Sequence, residues 1–146
     1  MASTYLALNV HIVFATRGRA PMIDVAWRKE LHAYIGGTIR GLGAKPEMVG
    51  GVEDHVHVLV GLRGTHAVGE IVREIKKASN AWAKERFDGF GWQEGYGAFS
   101  VSPAAVERTV AYIANQEDHH KRLSSSDELR NLLAECGIEY DVRYFE

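Results

Sequence analysis

Apolar residues recur along this chain first at every second position, then at every third or fourth, and the alternation of spacings repeats. Leu6, Leu8 and Val10 alternate ahead of the run Ile12-Val13-Phe14, which predicts a strand over residues 5–16. Leu31, Tyr34, Ile35 and Ile39 fall at helical spacing and predict a helix over 25–42, ended by Gly41 and Gly43. Strands over 45–51 and 55–62 follow, joined through Gly50-Gly51-Val52-Glu53-Asp54 as a hairpin. Val68, Ile71, Val72, Ile75 and Trp82 mark the inward face of a helix over 67–87. The glycine-rich stretch from Asp88 to Gly97 reads as a loop, and Ala98-Phe99-Ser100-Val101 as a short strand. Ser102 can cap a further helix and Pro103 suits its first turn, with Val106, Val110 and Ile113 as its buried stripe. A last short helix is expected from about Asp127 to Glu135. The order strand, helix, strand, strand, helix, strand, helix suggests an α+β fold. The arrangement is ferredoxin-like (RRM-like), an antiparallel sheet with helices packed on one face, and a single domain spans 1–146.

Composition fits that picture without naming a function. At 146 residues and 46% hydrophobic, the chain can bury a real core. No apolar run is long enough to cross a membrane, and the N-terminus lacks the charged-then-apolar pattern of a signal peptide. Cys136 is the only cysteine, so a reducing, cytoplasmic setting is expected, and its place at an apolar-flanked helix end suggests packing. A net charge of -2 is low for a nucleic-acid binder, but the cations cluster. Arg17 and Arg19 bracket Gly18; Arg73, Lys76, Lys77, Lys84 and Arg86 crowd one helix; Lys121-Arg122 end another. Arg73, Lys76 and Lys77 share helical spacing and could form a basic strip, although Glu70, Glu74 and Glu85 leave an ordinary solvated face open.

Chemistry enters with His55-Val56-His57. On a strand the two imidazoles project from one face while Val56, Val58 and Val60 project from the other. The valines can be buried and the histidines left side by side with nitrogens free, as a divalent metal requires of two ligands; a solvent-facing strand carrying two histidines is the plain alternative. Tyr112 and Gln116, four residues apart on the predicted helix, would offer a hydroxyl and an amide to one point in space, with His119 two turns beyond. An interface tyrosine on a helix with a polar end is the alternative there.

Six segments taken together resemble the HUH-type single-tyrosine transposases, which move certain bacterial insertion sequences as single-stranded DNA, and their close relatives the REP-associated tyrosine transposases. They are Val10 to Arg17, Glu53 to Val60, Ile75 to Trp82, Trp92 to Ser102, Tyr112 to Gln116, and the tail from Gly137 to Tyr144. The resemblance implies the ferredoxin-like fold, Tyr112 as nucleophile, and Gln116 as third metal ligand beside His55 and His57. It also implies Mg2+ (or Mn2+) as the ion, a 5′-phosphotyrosine intermediate, hairpin-forming single-stranded DNA ends as substrate, and a homodimer whose active sites can be shared between subunits. Arg17, Lys76 and Lys77 are the expected contacts to the DNA backbone. His11, His119 and His120 are left outside the catalytic set, as a structural strand histidine and as partners of a helix C-terminus. Three other readings stay open: a domesticated protein that nicks hairpin repeats, a catalytically silent nucleic-acid-binding module, and a metal hydrolase drawing on Glu53 or Asp54.

Overall fold

Runs rich in β-branched and aromatic residues form a single antiparallel sheet. The computed structural model describes residues 3–140. Its four strands are β1 (Leu8–Ala15), β2 (Lys45–Gly51), β3 (His55–Leu62) and β4 (Gly97–Val101), in the order β2-β3-β1-β4. Every pairing is antiparallel, with β1 and β3 at the centre. This is the expected α+β, ferredoxin-like arrangement.

Alternation along the central strands divides the sheet into two chemically different faces. Ile12, Phe14, Val56, Val58 and Val60 point one way. There they pack against α1 (Val25–Gly41) and α2 (Val68–Lys84), through Leu31, Ile35, Ile39, Ile71, Val72 and Ile75. The Asp24 carboxylate accepts from the amide of Ala26 and starts α1. His11, Val13, His55 and His57 point the other way, and that face is covered too. Three helices lie over it: α3 (Val106–Ala114), α4 (Gln116–His119) and α5 (Ser125–Glu135). Leu133 of α5, with Leu129 and Leu132, packs on Val13 and Phe99. On β2, a Cβ added at Gly50 would fall 2.6 Å from the Ile113 carbonyl oxygen, so α3 rests directly on the strand backbone. Gly50 pairs with His57, and α3 is thereby set above the histidines.

Several local expectations are corrected. β1 begins at Leu8 rather than residue 5, and Leu6 and Leu8 are exposed, so the first alternation faces solvent. Pro103–Ala105 form a single 3-10 turn before α3, and the Ser102 side chain makes no capping bond. Of the proposed stripe only Ile113 is fully buried. The helix breaks at Asn115 (φ -99°, ψ 22°), placing Tyr112 on α3 and Gln116 on α4. Cys136 is exposed rather than packed, because α5 ends just before it. The segment 141–144 of the resembling tail lies outside the described residues. Among the described residues, no helix is long and apolar enough to cross a membrane.

Candidate active site

Register fixes the first half of the site. Val13 stands opposite His57 and Ala15 opposite His55, so small or apolar neighbours on β1 leave room for both rings. Both histidines are fully enclosed, and their nitrogens are engaged rather than free. His55 Nδ1 lies 2.7 Å from Asp54 Oδ1, and the ring of His57 meets that of His11, with His57 Nδ1 2.7 Å from His11 Nε2. The Nε2 atoms of both turn toward the helices above.

The second half comes from three helices. Gln116, at the start of α4, brings its Oε1 to 3.2 Å from His55 Nε2 and 2.9 Å from His120 Nε2. Glu128 of α5 reaches the same point. Its Oε1 lies 2.8 Å from His57 Nε2 and 3.1 Å from the Nε2 atoms of His55 and His120. Its Oε2 accepts from Gln116 Nε2 at 3.1 Å and from the hydroxyl of Tyr112. His119 Nε2 stands 3.2 Å from Glu128 Oε2 and 3.5 Å from the Tyr112 hydroxyl. A cavity of about 390 Å³ opens beside Tyr112, lined by His11, Arg108, His119, Glu128 and Glu135 among others.

Burial and charge set the protonation. Burial pushes the His57 imidazole down to about 4, and burial with the neighbouring His57 pushes His11 to about 3, so both are neutral at pH 7. Burial alone would lower His55 as well. Its hydrogen bonds to Asp54 and Glu128 outweigh that and raise it to about 9. Burial works to raise the Glu128 carboxyl, but hydrogen bonds from His120, His55 and His57 hold it far below the usual carboxylate range. Burial, then the Glu128 carboxylate, push the Tyr112 phenol well above its ordinary value. At rest the centre holds an anionic Glu128 and a neutral Tyr112.

Of the four residues expected to carry chemistry, all four converge: His55, His57, Gln116 and Tyr112. The structure adds Glu128 and His120, which complete a group of metal-competent donors with the two strand histidines, and it brings His11 and His119 into contact with that group. Glu128 left one trace in the sequence. It precedes Leu132 by four residues and so falls on the apolar stripe of α5, where an unpaired carboxylate would be costly.

The basic residues separate into two kinds. Arg17 and Lys77 are exposed and line a groove of about 640 Å³ together with Arg73, Trp92 and the exposed Tyr96. Lys76 lines it as well, but its Nζ donates to the carbonyls of Gln93 (2.9 Å) and Gly95 (2.6 Å), pinning the loop before β4.

The class is defined by the sheet order together with the histidine pair and its facing tyrosine. Residues 4–116 match the family described as Transposase IS200 like, and the chain belongs to that family. A candidate transposase of Deinococcus radiodurans R1 superposes with a TM-score of 0.62 at 21% identity, over 80% of this chain and 96% of that one. A REP-associated tyrosine transposase bound to a REP hairpin superposes with a TM-score of 0.63 at 17% identity, over 84% of this chain and 74% of that one. At these identities the two neighbours support the fold. No curated protein matches the sequence. The family match ends at Gln116, before His120 and Glu128.

Proposed function

We propose that this member of the transposase family cleaves and rejoins single-stranded DNA through a 5′-phosphotyrosine on Tyr112, assisted by a divalent metal. One observation carries the reading: Glu128 touches both His55 and His57 through one oxygen and the Tyr112 hydroxyl through the other, so nucleophile and metal donors share one enclosed centre.

The donor set fits such an ion. With the His55 ring giving up its extra proton, two imidazole nitrogens and an amide oxygen would carry no charge, and the Glu128 carboxylate would supply the anionic oxygen that Mg2+ or Mn2+ favours. His55, His57 and Gln116 would hold the ion, with Glu128 and His120 as further donors. Bound there, it would polarise a non-bridging oxygen of the scissile phosphate. Tyr112 attacks phosphorus, the phenol proton passes toward Glu128, which already accepts it, and the bond from phosphorus to the 3′ oxygen breaks, that oxygen taking a proton from water to leave as a hydroxyl. The link conserves the energy of the broken diester. A free 3′-hydroxyl can therefore attack it, form a new phosphodiester and release Tyr112. The cavity beside Tyr112 gives the phosphate a way in, with Arg108 at its wall.

Hairpin-forming DNA ends are the proposed substrate, in keeping with the hairpin bound to one structural neighbour. The groove of Arg17, Arg73 and Lys77 is the proposed path for the backbone, with Tyr96 as a face on which a base can stack. Family resemblance supports a homodimer; the described chain nonetheless assembles Tyr112, His55, His57 and Gln116 within itself. Labelled hairpin DNA incubated with Mn2+ or Mg2+ should be nicked and become covalently attached, and chelator should abolish both. Cleavage that survives in Tyr112→Phe would contradict the proposal.

A further inference from the structure

We propose that His11 is a positioning residue for the metal centre. It would accept the Nδ1 proton of His57 and so hold the ring with its Nε2 lone pair toward the ion. The inference rests on the metal-site reading above.

Three imidazoles direct Nε2 at the centre, and each is held from behind through Nδ1. His55 Nδ1 meets the Asp54 carboxylate, and His120 Nδ1 meets the Leu123 carbonyl. Both partners are oxygens that can only accept, so both rings keep a proton on Nδ1. In the neutral ring that arrangement leaves the Nε2 lone pair for a cation, which His55 would reach by giving up its Nε2 proton. His57 is different. Its partner is another imidazole, His11 Nε2 at 2.7 Å, which can give or take a proton.

With its Nδ1 proton turned toward His11 Nε2, His57 would keep the Nε2 lone pair for a cation, and His11 would carry its own proton at Nδ1.

Position 11 is built for this. His11 lies diagonally from His57 across the β1–β3 pair, is 5% exposed, and stacks on the His57 ring with centroids 5.0 Å apart. Its Nε2 meets His57 and it is not one of the clustered donors, so its effect on an ion runs through His57.

Glutamine and leucine have similar volumes, but only glutamine can present an oxygen or, by flipping, an amide proton. The test titrates Mn2+ into the full chain by electron paramagnetic resonance, for wild type, His11→Leu and His11→Gln, with thermal melts confirming that each is folded. His11→Leu should weaken Mn2+ binding about 10–100-fold, and His11→Gln should restore it to within about threefold of wild type. Equal affinity in all three chains, or equal loss in both variants, overturns the proposal. A wild type that binds no Mn2+ removes the metal reading itself, an outcome distinct from any of these.

Discussion

Glu128 is a buried carboxylate, tolerated because its two oxygens meet His55, His57 and His120 on one side and Tyr112, Gln116 and His119 on the other. Removing its charge while keeping its size should expose its role. Glu128→Gln is expected to weaken Mn2+ binding by about tenfold or more; unchanged affinity would mean the carboxylate serves the tyrosine hydroxyl alone. His32 permits a separate test, away from this centre. Burial, then the nearby Arg28, push it down to about 4, and its Nε2 has no hydrogen-bond partner among the described residues. The unfolded chain therefore takes up a proton that the folded chain refuses. This contribution to stability is full above about pH 6.5 and is lost as pH falls toward 4, amounting to about 3 kcal/mol at most. The denaturant midpoint of wild type should fall relative to that of His32→Leu as pH drops through that window. A parallel pair of curves would contradict it. Residue identity alone made His55, His57 and Tyr112 visible in the sequence. It could not show His11 or Glu128, whose roles depend on a neighbouring strand and on a helix 71 residues beyond His57.

At the scale of elements, β3 and α2 were legible because period two and period 3.6 persist over whole runs of valine, isoleucine and leucine. The break between α3 and α4 was not. Tyr112 to His120 contains neither glycine nor proline, and nothing local announces the turn at Asn115. Nor could periodicity say that the histidine face would be roofed. That depends on Leu133 meeting Val13 and Phe99, a contact between the two ends of the chain. Gly50 is the element-level support of the site, since Ile113 backbone and side chain both press on it. Gly50→Ala places a methyl against a carbonyl that cannot swing aside, so α3 must lift and carry Tyr112 with it. We expect a loss of about 1–3 kcal/mol in stability and a marked fall in DNA-adduct formation. A variant with unchanged melting and activity would show that α3 does not rest on β2 as described.

Over the whole molecule, a net charge of -2 coexists with a local groove lined by arginine and lysine, so under the proposed function charge placement rather than total charge would serve DNA. The sheet and three last helices close one complete centre within a single chain. Mixing Tyr112→Phe with His55→Ala chains should therefore recover no adduct; recovered activity would mean that subunits exchange their tyrosine helices. Mass spectrometry of the protein–DNA adduct tests the proposed covalent role of Tyr112. After metal-dependent reaction with a hairpin substrate and trypsin digestion, the peptide from Thr109 to Lys121 should carry a 5′-linked nucleotide on Tyr112. Cleaved DNA ending in free 5′-phosphate, with that peptide unmodified, would show that water is the nucleophile and contradict the account.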